Sequence, residues 1–208
     1  MRVRAKRGRR VSGEITRQQL LAAARTIGAS KPLTRITVDQ ITTRAGTSRA
    51  TFYLYFENRD DIFLHLCREA CELLYEKAGH AWSAASPFES IRQATLSYGE
   101  AFTRNADVLR LLYTAAPSDA RFAALLNSVR DRFLRRIERN LRLGADASLF
   151  EPLDPKPTAR ALGGMVEQFL VTSLFANGEL VDVDEAATLL ATLWYRAVAS
   201  KTAASSAT

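Results

Sequence analysis

Cysteine, tryptophan, methionine and histidine are scarce, with two of each in 208 residues. Cys67 and Cys71 fit a reducing compartment better than a disulfide scaffold. Four residues apart, they read first as small packing residues on one helix face. A thiol or metal sensor is the alternative because His65 is near, but no third and fourth ligand stands at a suitable spacing. The other histidine, His80, is isolated as well. No run of eighteen apolar residues occurs, so a transmembrane helix is not expected. Glu14, Arg17 and Arg25 interrupt the apolar stretch that a signal peptide would need, and a cytoplasmic protein is expected. Nucleophile elbow, phosphate loop, paired-histidine zinc motif and dinucleotide fingerprint are all missing. An enzyme is therefore not expected, nor a cofactor or metal; Glu100 and Glu167 could form a carboxylate pair only if the fold brought them together. Strand-like alternation is missing too, which leaves an all-α fold of about nine helices.

Charge is present in excess, and its location is informative. The formal net charge is +7. Residues 1–64 hold 13 Lys/Arg against 5 Asp/Glu, a net +8, while residues 65–208 hold 16 against 17. The whole positive excess lies in the first third, which predicts an anionic partner there, a nucleic acid or a membrane surface.

Residues 1–13 carry six Lys/Arg without apolar periodicity and are expected to form a basic flexible arm. As a basic arm, it would add phosphate or minor-groove contacts. Leu20, Ala24 and Ile27 then mark a helix that Gly28 and Pro32 end. Thr37 stands as an N-cap with Gln40 at the capping-box position. Val38, Ile41 and Ala45 give a helix of about two turns, stopped by Gly46. Ser48 caps the next, running from Arg49 to about Tyr55. Helix, glycine-containing turn, helix is the helix-turn-helix arrangement. It falls in the basic third, and the last helix is too short to offer a membrane a broad apolar face, so DNA is the favoured partner. Phe52 and Phe56, four apart, would face inward. The other face and the N-terminal end would carry Thr47, Ser48, Arg49, Thr51, Tyr53 and Tyr55, hydroxyls and a cation suited to phosphates and base edges. Half-buried packing is the plainer role for Tyr53 and Tyr55.

Residues 15–64, with AGTSRATFYLYFENRDDIF at their centre, resemble the DNA-binding domain of TetR-family transcriptional repressors. Ala45, Gly46, Ser48, Thr51, Phe52, Tyr53 and Phe56 match the family pattern; Thr47 stands where Val is usual and Arg59 where Lys is usual. The resemblance implies phosphate contacts from Thr37, Thr47, Ser48, Tyr53, Tyr55 and Arg59, with Arg49, Ala50 and Thr51 facing bases.

The domains expected are the arm at 1–13, the helix-turn-helix domain at 14–60 and a helical effector-binding and dimerisation domain at 61–208. In the last, helices are expected from Asn58 or Asp60 to about Ala84, from Pro87 to about Asn105, over 107–115, from Ser118 or Asp119 to Gly144, over 158–177 and over 184–200. The 62–81 stripe is Ile62, Leu66, Ala70, Leu73 and Ala81. Gly99, Gly163 and Gly164 inside helices suggest close packing or a ligand. Polar residues within apolar stripes, Glu100, Glu167 and Gln168, together with Trp82, Tyr98, Phe102, Tyr113, Phe169, Phe175 and Trp194, are candidate pocket residues, though aromatics at helical spacing also make plain core. The family resemblance implies an inducer site in this half, for a largely apolar small molecule. Helix order and the LFANGE segment resemble the ethionamide-resistance repressor group. Arg130, Arg132, Arg135, Arg136, Arg139 and Arg142 read as a solvated face partly paired with Asp131 and Glu138 rather than a second anion site. Leu170, Leu174, Leu189, Leu193, Trp194 and Val198 exceed one core stripe and predict a homodimer through a four-helix bundle, which would set two reading helices about a DNA turn apart. A ligand-responsive repressor is the expected function; an architectural DNA-binding protein without an effector would use the same N-terminal residues.

Overall fold

A computed structural model describes the backbone of residues 2–79, 82–177 and 182–200, and the side chains within these ranges except for residues 2–12, 176 and 177. The charges of the basic arm, His80, Ala81 and the end of the LFANGE segment lie outside the described residues. Among the described residues there are nine α-helices and no strand, apart from an isolated bridge between Phe150 and Ala199. They are α1 (Arg2–Gly28), α2 (Val38–Ala45), α3 (Arg49–Phe52), α4 (Arg59–Lys77), α5 (Pro87–Arg104), α6 (Ala106–Ala115), α7 (Ala120–Asp146), α8 (Pro155–Val171) and α9 (Val183–Val198).

The chain forms two compact units, residues 1–70 with 107–124, and residues 71–106 with 125–208. The first unit is larger than the helix-turn-helix domain expected at 14–60. It takes in α4 as far as Ala70 and α6 from Asp107 onward. Ile62, Phe63, Cys67, Leu109 and Leu112 are buried, and a β-carbon at Gly28 would lie 2.9 Å from the Phe63 ring and 3.1 Å from Leu111. Gly28 thus does more than end α1: it lets α4 and α6 approach the helix. Arg25 of α1 also forms a two-pronged ion pair with Asp107 at the start of α6, at 2.8 and 2.9 Å.

α1 begins at Arg2, where a flexible arm is expected; Arg, Lys and Ala are good helix formers and allow the backbone to continue back from Glu14. α2 is delimited as its capping residues predict. Thr37 accepts the Gln40 N–H, Gln40 accepts the Thr37 N–H, and Gly46 ends the helix with φ 64°. α3 is shorter than predicted, because after Phe52 the chain turns: Leu54 N–H donates to Thr51 and Tyr55 N–H to Phe52. α4 ends at Lys77 rather than near Ala84, with Gly79 N–H closing back on Glu76 at 3.0 Å.

In the second unit α5 packs along α9, and α8 touches both. Gly99 permits the first contact: a β-carbon there would meet Val183 at 2.8 Å. α8 starts at Pro155, earlier than predicted, with Asp154 accepting the Lys156 N–H; proline suits a first turn that has no amide to place. α7 runs past Gly144 to Asp146. The residue is glycine because the Phe150 ring lies directly on it. Around Phe150 are Ile91, Leu141, Leu162, Trp194 and Val198, with Trp82 and Tyr195 at the margin.

Candidate nucleic-acid interface

α3 spans one turn and could not persist alone. It is held by its side chains. Phe52 and Phe56 are fully buried with ring centroids 5.5 Å apart, while Arg17 of α1 stacks on Phe56 at 5.9 Å and His65 of α4 meets it edge-on. With that side anchored, the opposite edge is presented outward. Ser48, Arg49 and Ala50 are exposed, and Thr47 and Thr51 are half-buried. Ser48 Oγ accepts the Thr51 N–H at 3.1 Å and lies 2.9 Å from the Thr51 hydroxyl. The N-terminus of α3 therefore carries two adjoining hydroxyls.

Most of the remaining candidates adjoin this edge, with partners that the sequence does not reveal. Thr37 is exposed at the start of α2. Arg49 pairs with Asp39 at 3.1 Å; hydrogen bonding to Tyr53 and the charge of Asp39 raise its pKa. Tyr53 is half exposed and packs edge-on against Phe52. Tyr55 is half-buried, its hydroxyl lying where a side chain on Gly13 of α1 would approach to 3.3 Å. Arg59 is turned partly inward. It donates to the Ile36 carbonyl at 3.2 Å and pairs with Asp60 at 2.6 Å, so any phosphate contact from it competes with internal partners. Sequence reasoning passed over Leu54, an apolar side chain 79% exposed on the same turn. Its place between Tyr53 and Tyr55, out of step with the buried Phe52 and Phe56, was the available signal.

The pocket candidates do not form one group. Within the second unit a chain of aromatic contacts runs Tyr75–Phe133–Tyr98–Phe102–Phe175, with centroid distances of 5.4, 5.0, 5.9 and 5.7 Å. Burial raises the Tyr98 pKa, and the nearby Glu167 charge adds to the effect. Glu167 is paired with Arg130 at 2.7 Å, not with Glu100. Phe169 is half-buried. Trp82 and Trp194 belong to the cluster around Phe150. Glu100 is exposed and pairs with Arg104, and Gln168 is exposed and donates to Thr172; both face away from the interior, because one helix cannot turn adjacent residues to the same side. Tyr113 lies in the first unit. After Val171 the chain widens into a π-helical turn, Thr172–Asn177, a form frequent at functional sites.

Arg132 pairs with Glu72, and Arg132 and Arg136 stack on the Tyr75 ring at 4.0 and 3.8 Å. Of the six arginines from Arg130 to Arg142, three are thus engaged with other helices, where pairing along α7 with Asp131 and Glu138 is expected; of the six, only Arg142 meets Glu138, at 3.9 Å. Cys67 and Cys71 are buried. Cys67 donates to the Val108 carbonyl at 3.7 Å, and burial pushes the Cys71 thiol up to about 12. Both behave as packing residues, since a reactive cysteine needs an accessible thiolate. Among the described residues no group of three or more His, Cys, Asp or Glu side chains could hold a metal ion, and no helix is long and apolar enough to cross a membrane.

Residues 20–66 match the family model of bacterial regulatory proteins of the tetR family. An uncharacterized HTH-type transcriptional regulator of Bacillus subtilis, YfiR, is 26% identical over 79% of this chain and 83% of its own length. The HTH-type transcriptional regulator EthR of Mycobacterium tuberculosis is 38% identical over 63 residues, 30% of this chain and 29% of that protein. That match lies in the N-terminal part, so the likeness to the ethionamide-resistance repressor expected in the C-terminal half is carried by the other end of the chain. In fold, the chain is similar to SmeT, the repressor of the Stenotrophomonas maltophilia multidrug efflux pump SmeDEF. The TM-score is 0.72 at 20% identity, over 89% of this chain and 91% of SmeT. SmeT has also been solved as a complex with triclosan.

Proposed function

We propose that this chain is a cytoplasmic, homodimeric transcriptional repressor of the tetR family that binds a palindromic operator and is released from it by a small, largely apolar effector. The observation that carries the reading is the exposed Ser48–Thr51 hydroxyl edge set over the buried Phe52 and Phe56, in the third of the chain that holds all the excess positive charge. Thr37, Thr47, Ser48, Tyr53, Tyr55 and Arg59 meet phosphates, and Arg49, Ala50 and Thr51 face base edges. Leu189 and Leu193 on α9, 51% and 47% exposed, and the open side of α8 at Gly164, where a β-carbon would meet nothing within 4 Å, support pairing of α8 and α9 with a second copy.

The effector binds in the second unit beside Tyr98, Phe102 and Phe175. Arg130 neutralises Glu167 there, and the Tyr98 phenol stays protonated, so these side chains suit an uncharged aromatic or aliphatic molecule with one polar group. The triclosan complex of SmeT supports that class. Effector binding displaces α4, whose halves belong to the two units. The energy comes from tighter binding of effector to the state that does not hold DNA. Selection of bound duplexes from a random library tests the reading. A palindrome with half-sites about a helical turn apart, or a multiple of it, is expected; uniform enrichment with a steep salt slope would indicate an architectural protein instead.

A further inference from the structure

Leu54 is more exposed than any other large apolar side chain among the described residues. It is also rigidly placed. Its own N–H donates to Thr51 at 3.2 Å, the Tyr55 and Phe56 N–H groups donate to Phe52 at 3.0 and 3.1 Å, and Phe52 and Phe56 on either side are buried. The turn therefore directs Leu54 outward, where it adds nothing to the core. Ala50, four residues earlier, is exposed too. Both are apolar and exposed in a short segment that also carries Thr47, Ser48, Arg49 and Tyr53.

We propose that Leu54 reads thymine through its C5-methyl group in the major groove. The methyl is the apolar group that base edges display there, and small apolar side chains discriminate it by contact. Duplex DNA is the occupant because Leu54 stands in the turn that follows Ser48, Arg49 and Thr51, within the segment of net charge +8. Two side chains fall far short of the contiguous apolar area of a protein-docking patch or the broad apolar face of a membrane-bound helix. The inference rests on the operator-binding reading above and adds to it a base identity.

The test uses the full chain and the duplex enriched from a random library, with each thymine replaced in turn by deoxyuridine, which removes only the methyl. At one thymine per half-site the parent protein should bind the substituted duplex roughly five- to tenfold more weakly. Leu54→Ala and Leu54→Gln should lose about that factor on the thymine duplex and become indifferent to the substitution, with unchanged thermal midpoints because the side chain is exposed. A parent protein indifferent at every thymine, or a Leu54→Ala protein that still discriminates, overturns the inference while leaving operator binding intact. Absence of any enriched duplex overturns operator binding itself, and the inference with it.

Discussion

Ser48 Oγ accepts the Thr51 N–H at 3.1 Å and touches the Thr51 hydroxyl at 2.9 Å. One side chain thus starts α3 and stands on its outward edge. Ser48→Ala should lower stability by about 1 kcal/mol through loss of the cap, and weaken DNA binding as well. Ser48→Asp keeps an acceptor for the Thr51 N–H, so its stability should stay near the parent's. Its negative charge would face phosphate, and affinity should fall by at least roughly tenfold. Chemical denaturation and fluorescence anisotropy separate the two effects; Ser48→Asp binding as well as the parent would mean that this edge does not meet the duplex.

Asp39 is a carboxylate on that cationic edge, paired with Arg49 at 3.1 Å. Asp39→Asn removes a charge that repels phosphate and releases Arg49. Affinity for duplex DNA should rise roughly three- to tenfold at low salt, and the salt dependence should steepen. Titrations at several salt concentrations check this, and unchanged curves would place the pair outside the contact.

How much of this was legible in the sequence depended on range. The capping box of Thr37 and Gln40, the left-handed Gly46 and the Ser48 cap are local signals, and each is found where its spacing predicts. Phe52 and Phe56 were readable as anchors because four residues make one helical turn. Membership of α6 in the first unit was not readable, since it depends on Gly28, Phe63 and Leu111 meeting across more than eighty residues. The arginines of α7 show the same limit. Spacing can suggest only partners on the same helix, whereas Arg130 and Arg132 found Glu167 and Glu72 on others. Gly144 looked like a helix stop, but it is a seat for Phe150.

Leu189 and Leu193 are one turn apart on the open side of α9. Leu193→Glu should leave the fold intact and convert the proposed dimer to monomer in sedimentation velocity. Affinity for a two-half-site duplex should then fall by at least roughly a hundredfold, because the second half-site no longer adds to the first. A dimer unaffected by this charge would relocate the interface.

Burial pushes the Cys71 thiol up to about 12 from an ordinary value of 9.0. The folded chain keeps a proton that the unfolded chain loses, so this contribution to stability is whole below pH 9 and declines as pH rises from 9 toward 12. The slope from this group is about 1.4 kcal/mol per pH unit. Cys71→Ala should be less stable at neutral pH, from the cavity, yet lose stability more gradually between pH 9 and 12. Parallel slopes in urea titrations of the two proteins would contradict the assigned cause.

The most direct measurement of the central claim is residue-resolved amide chemical-shift mapping of the full chain with and without its selected duplex. The largest changes should fall on residue 37 and residues 47–55, with Phe52 and Phe56 side-chain signals remaining those of buried rings. Changes confined to the arginine-rich face of α7, with residues 47–55 unmoved, would contradict it.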